Sequence, residues 1–229
     1  MLHVCASPQD QVRQLVRAIQ AALAEDIAQH GQALLAVSGG RSPVSLFHAL
    51  AQAPINWSQV VVTLVDERFV PPDHADSNAA LVRTHLLTGA AAQAHFLPLV
   101  DDPFDLAGCV ARANAHFRAR AQPITVALLG MGEDGHTASL FPGAAELAAG
   151  LDPVSRDAYL SISPTHAPHA RISLNLAALL QSRRLLLSIA GEAKRAVYAQ
   201  AATPPPGAAL PISYFVQQTR TPFDAYWTP

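Results

Sequence analysis

Between Asp10 and His30 the apolar residues Val12, Leu15, Val16, Ile19, Ala22 and Leu23 return at helical spacing, which predicts an amphipathic helix closed by Gly31. The pattern then changes. Ala33–Val37 is wholly apolar and short, the mark of a strand buried on both faces. The same signature recurs at Val60–Val65, Ile124–Leu129 and Leu185–Ile189, and further strands are expected at Tyr159–Ser163, Arg171–Leu174 and Phe223–Trp227. Helices are predicted over Pro43–Ala51, Ser77–Leu87, Asp105–Gln122 and Glu192–Ala202. Strands alternating with helices predict an α/β fold with a mostly parallel sheet covered on both faces. No repeat or internal boundary divides residues 1–229, so one domain is expected.

Composition narrows the partners. Of 229 residues, 50% are hydrophobic and 14% charged, with a formal net charge of -2. No broad basic field is offered to nucleic acid or to an anionic membrane, so any anion must be held by a local site. No uncharged apolar stretch reaches membrane-spanning length. The N-terminus lacks the basic and apolar regions of a secretion signal, and the two cysteines, Cys5 and Cys109, form no CxxC pair. A cytoplasmic protein with reduced thiols is expected.

The chemistry gathers where apolar strands end. Ser38-Gly39-Gly40-Arg41-Ser42-Pro43 follows the first such strand and precedes a helix. Backbone N–H groups, two hydroxyls and a helix N-terminus would make an anion cradle there, although an ordinary strand-to-helix turn has the same appearance. Asp66-Glu67-Arg68 follows Val60–Val65, and three charges at that place belong to the ligand edge rather than the core, or to a solvated cluster. Asp76 or Ser77 can cap the next helix. The run GMGEDGHTASLFPG, residues 130–143, brings three glycines to a tight loop holding Asp134 and His136 two positions apart. His136 suits a general base, and Asp134 can fix its orientation or tautomer or bind substrate hydroxyls. A dinucleotide loop is the rival reading, weakened by the lack of an acidic ribose partner, and no GxSxG elbow announces a serine hydrolase. Arg171 and Lys194 are candidate phosphate ligands, Lys194 being equally readable as an exposed helix lysine. His74, His166 and His169 lie on different loops without zinc-ligand spacing, so no metal is expected.

Taken together, SGGRSP (38–43), DERFVPPDHADSN (66–78), GMGEDGHTASLFPG (130–143), ARISL (170–174), GEAK (191–194) and LPIS (210–213) resemble the 6-phosphogluconolactonase family along nearly the whole chain. The resemblance implies a three-layer αβα Rossmann-like fold shared with glucosamine-6-phosphate isomerases. It implies hydrolysis of a sugar-phosphate lactone in the pentose phosphate pathway, with no metal or organic cofactor. His136 matches the family's catalytic base and Asp134 its acidic neighbour. Ser38, Gly39, Gly40 and Ser42 match the phosphate loop, Arg171 and Lys194 its basic residues, and Asp66 and Arg68 the charged strand end. The resembling isomerases carry an acidic residue where this chain has Phe141. One departure lies at residues 163–170, SPTHAPHA, where many family members carry a lysine-proline pair. A sugar-phosphate isomerase, a non-catalytic sugar-phosphate sensor and a dinucleotide-binding oxidoreductase are the alternatives.

Overall fold

The computed structural model describes residues 1–40, 42–120 and 122–229. Arg41 of the SGGRSP run, and Ala121 within the helix expected over 105–122, lie outside the described residues. Among the described residues ten strands and eight α-helices follow in chain order as β1 (Leu2–Val4), α1 (Pro8–His30), β2 (Ala33–Val37), α2 (Val44–Ala51), β3 (Val60–Leu64), β4 (Asp66–Arg68), α3 (Asn78–His85), β5 (His95–Leu97), α4 (Leu106–Ala119), β6 (Val126–Leu129), α5 (Leu147–Gly150), β7 (Tyr159–Ile162), β8 (Arg171–Leu174), α6 (Leu176–Leu179), β9 (Arg184–Ala190), α7 (Glu192–Ala201), α8 (Ser213–Val216) and β10 (Phe223–Thr228).

Seven strands form one sheet in the order β1-β10-β9-β6-β2-β3-β5, flanked by helices. Every pairing in it is parallel. Strands β2 and β6 are buried along their whole length, which is why both read as unbroken apolar runs. The chain builds outward from β2 to β3 and β5 on one side, then returns to lay β6 and β9 on the other. The order therefore reverses between β2 and β6, and a crevice opens there at the carboxyl ends of the strands.

A second, smaller sheet stands beside the mostly parallel one expected from the sequence. Strands β4, β8 and β7 pair antiparallel in a three-stranded unit. Val65 joins the two sheets: its N–H donates to Val37 of the parallel sheet, and its carbonyl accepts from Leu174 of β8. The charged run 66–68 is thus itself a strand, with Arg68 opposite Arg171 and Asp66 opposite Ser173. Its middle residue corrects the expectation of three charges at the ligand edge. Glu67 is 1% exposed. Its carboxylate accepts from the backbone N–H groups of Arg68, Asn78 and Ala79 and from the Ser77 hydroxyl. Burial pushes its carboxyl above the ordinary value against those four bonds. Glu67 fixes the first turn of α3 to β4, while Ser77 caps the helix by accepting from Ala80 N–H. Among the described residues, no helix is long and apolar enough to cross a membrane.

Candidate active site

A cavity of about 270 Å³ sits in the crevice between β2 and β6. Ser38, Gly39, Gly40, Ser42, Asp66, Arg68, His136, Arg171 and Lys194 all line it. Asp134 does not, and reaches the site only through His136.

The anion side is built from three elements. Residues 38–40 carry the chain off the end of β2 toward α2, whose N-terminal turn is capped by no side chain, leaving its N–H groups for a ligand. The antiparallel register of β4 and β8 sets Arg68 beside Arg171. Lys194 lies in the first turn of α7, another helix whose start has no side-chain cap. Arg171 is 6% exposed. Burial, and then the neighbouring charge of Arg68, hold its guanidinium below the ordinary arginine value, while Asp66, Glu67 and Asp76 act in the opposite direction. Arg68 is steadied by its Nη1 donating to the Asp76 carbonyl at 2.6 Å.

Asn78 belongs to this side and carried no functional signal in the sequence beyond its place in the capping segment. It lines the cavity, and its Nδ2 donates to the Asp66 carbonyl at 2.8 Å. A Cβ on Gly39 would stand 1.8 Å from Asn78 Oδ1. The residue at 39 must therefore be glycine for Asn78 to occupy its place. Three buried polar atoms around the cavity, Ser38 Oγ, Asn78 Oδ1 and Arg171 Nη1, have no hydrogen-bond partner among the described residues. An unsatisfied buried polar group typically costs about 1–3 kcal/mol, so three lining one cavity mark a place where a polar ligand completes the structure.

The opposite wall is the loop after β6. His136 Nδ1 lies 2.6 Å from Asp134 Oδ1, and the same oxygen accepts from the His136 backbone N–H at 3.2 Å. A carboxylate on Nδ1 selects the tautomer with its proton there, which leaves Nε2 as the basic nitrogen. A Cβ on Gly132 would approach Asp134 Oδ1 and His136 Nδ1 to 2.3 Å, so this pair also depends on a glycine. Beyond His136 the loop is pinned from both sheets. Thr137 Oγ1 donates to the Gly130 carbonyl at 2.8 Å, Ser139 Oγ to Asp66 Oδ2 at 2.6 Å, and Ser139 N–H to Ser173 Oγ at 3.1 Å. Between these anchors Ala138 is held at φ 51, a left-handed conformation unusual for alanine, on the cavity wall. Asp66 thus lines the cavity while one carboxylate oxygen braces the loop. Phe141 packs its ring 4.4 Å from that of His136, as an apolar wall rather than a proton carrier.

The two histidine neighbourhoods separated in sequence do meet in space. Pairing of β4 with β8 brings the segment after Arg68 against the segment before Arg171, and His74, Asp76 and His169 come together on the rim. Spacing along the chain carries no trace of this, because the contact spans more than ninety residues.

A profile of the family described as glucosamine-6-phosphate isomerases/6-phosphogluconolactonase matches residues 6–227. The 6-phosphogluconolactonase of Pseudomonas aeruginosa is 41% identical over 228 residues, covering 100% of this chain and 94% of that protein. The 6-phosphogluconolactonase of Rhizobium meliloti is 37% identical over 228 residues, covering 100% and 98%. The crystal structure of a 6-phosphogluconolactonase from Shewanella baltica superposes with a TM-score of 0.96 at 38% identity, covering 100% of this chain and 97% of that one.

Proposed function

The chain belongs to the family of glucosamine-6-phosphate isomerases and 6-phosphogluconolactonases, and from that membership we propose that it hydrolyses 6-phospho-D-glucono-1,5-lactone to 6-phospho-D-gluconate, with His136 activating water. The observation that carries this reading is one cavity with a carboxylate-paired imidazole on one wall and the donors Ser38, Arg68, Arg171 and Lys194 around it. A lactone with a phosphate at its far end needs both. The residues 1–229 act as one domain, and the site is assigned to His136, Asp134, Ser38, Gly39, Gly40, Ser42, Asp66, Arg68, Arg171 and Lys194, joined by Asn78. The enzyme works in the cytoplasm.

A lactone is an activated ester, so water suffices as nucleophile. His136 Nε2 takes a proton from water as its oxygen bonds to C1. The resulting oxyanion needs donors, a role we assign to backbone N–H groups of the loop after β6. When the tetrahedral intermediate collapses, the bond from C1 to the ring oxygen breaks and the imidazolium returns its proton to that oxygen. Asp134 holds the imidazole in the productive tautomer and balances its charge while the proton resides there. The phosphate contacts fix the substrate from its unreacting end, so that C1 lies by the histidine.

Steady-state assay of purified protein with freshly prepared lactone, corrected for spontaneous hydrolysis, tests the reading. His136→Ala is expected to lower kcat by about 10²–10⁴-fold with a smaller change in KM. Near-normal turnover in that variant removes His136 from the mechanism. The isomerase alternative is separated by mass spectrometry of a sugar phosphate incubated with enzyme in heavy water. No deuterium is expected at C2, since the ring of Phe141 beside His136 can relay no proton.

A further inference from the structure

Outside the cavity, His74, Asp76 and His169 place one ligand atom each within 4.8 Å of one another, the one such group of three among the described residues. Asp76 Oδ2 stands 3.2 Å from His169 Nε2 and 3.8 Å from His74 Nδ1. A tetrahedral cation with bonds of ~2.0–2.1 Å sets its ligands ~3.3 Å apart, so the Asp76–His169 pair already has the required spacing and the exposed His74 ring must move inward to complete it. The rings of His74 and His169 meet edge to face at 5.6 Å, on either side of the carboxylate. His169 sits at φ 68, a left-handed conformation that histidine adopts more readily than most residues with a Cβ, and its ring reaches Asp76.

We propose that His74, Asp76 and His169 form a binding site for a divalent first-row transition metal of the zinc type. Two imidazole nitrogens and one carboxylate oxygen suit zinc, cobalt(II) or nickel(II) and disfavour magnesium and calcium, which take oxygen alone. Three protein ligands leave a fourth position for water. His74 Nδ1 also accepts the Asp76 amide N–H at 3.1 Å. That contact is on the exposed rim, so solvent takes over the amide when the metal takes the nitrogen. The site clamps two segments. Residues 163–170 approach Arg171 of β8, while Asp76, through its carbonyl, holds Arg68. Occupancy therefore stiffens the rim beside the two arginines and takes no part in the hydrolytic step.

Untagged, chelator-treated full-length protein titrated with cobalt(II) chloride tests this, read by visible d–d absorption and by calorimetry. One cobalt per chain with bands of tetrahedral intensity is expected, displaced by zinc. Loss of an outer-shell partner alone typically weakens metal binding ~10–100-fold, so His169→Ala and His74→Ala, each removing a ligand, are expected to weaken it by at least that much. The exposed pair His48 and His85, 2.9 Å apart, is the competing locus, and His48→Ala is expected to leave the cobalt signal intact. Loss of the signal in His48→Ala with retention in His169→Ala overturns the proposal. So does an octahedral spectrum unchanged in all three variants, or no binding at all. Thermal melts of each variant without metal establish that it is folded.

Discussion

Asp134→Asn isolates the charge of the residue behind His136. The amide oxygen still accepts the Nδ1–H and the backbone N–H that Asp134 Oδ1 accepts now, at 2.6 and 3.2 Å, so the tautomer and the turn are kept. What is lost is the counter-charge to the imidazolium formed when water is deprotonated. With charge centres ~4 Å apart, that attraction is ~1 kcal/mol at the dielectric of water and ~4 kcal/mol at an effective value of 20. The side chains of His136 and Asp134 are 29% and 53% exposed, which places the pair nearer the weak limit. About 1.5–2 kcal/mol then corresponds to a fall in kcat of ~10–30-fold, smaller than the loss expected for His136→Ala. KM should stay within about twofold, because Asp134 lies outside the cavity lining. Stopped-flow or pH-stat measurement, with the uncatalysed rate subtracted, reads both quantities. Unchanged turnover refutes a charge-balancing role and leaves Asp134 as a brace for the turn.

Arg171→Ala and Lys194→Ala should each raise KM for the phosphorylated lactone by about 10–100-fold, as expected for charge-assisted hydrogen bonds of ~1.5–3 kcal/mol, and should affect unphosphorylated gluconolactone little. Equal losses on the two substrates, with a lowered melting temperature, would assign these residues to the fold. Gly39→Ala drives a Cβ into Asn78, so unfolding titrations should show about 1–3 kcal/mol of destabilisation, and Gly39→Ala with Asn78→Ala should recover part of it. Failure of the second substitution to rescue stability would place the strain elsewhere. Hydrogen bonding from Arg112 holds the Asp101 carboxyl down to about 2 from an ordinary 3.8. A depressed carboxylate contributes stability above its unfolded value and loses it as pH falls through the folded one, so the advantage of wild type over Arg112→Ala should close between pH 3.8 and about 2. Denaturant melts across that range showing a constant gap would exclude the pair as its source.

Which parts of this molecule could be read in the chain follows from what each part depends on. Strands β2, β3, β6 and β9 are legible because strands covered on both faces are predominantly apolar, apart from Thr63, Ser188 and the exposed end at Arg184, and the expected bounds Ala33–Val37 coincide with β2. Strands β1 and β5 were not, having three residues each at the sheet edges, with His3 and His95 among them. Strand β4 is hidden by its own side chains. Three successive charges suggest a loop, and only the antiparallel partner β8 makes them a strand. Helix α4 ends at Ala119, short of the expected Gln122, where Arg120 turns extended and its guanidinium covers Phe117. The clusters SGGRSP and GMGEDGH fell at one sheet edge because both follow buried strands. Asn78 escaped notice because its reason for being there is Gly39, a partner nearly forty residues away.

The phosphate site proposed above belongs to a chain of net charge -2. Arg68 and Arg171 stand opposite each other in a register that neither can leave without breaking the strand pair. Their mutual repulsion and the burial of Arg171 are a cost in the protein alone, and Asp66, Glu67 and Asp76 offset it only in part. Each of those carboxylates is already engaged, with Ser139, with the start of α3 and with His169. None is free to close directly on the two guanidinium groups. A phosphate can, since it brings two negative charges and three acceptor oxygens to a place where donors are fixed in advance. A neutral lactone meets the same arginines and relieves nothing. On the proposed assignment, discrimination between the two substrates resides in the repulsion between the two arginines as much as in their contacts with the phosphate.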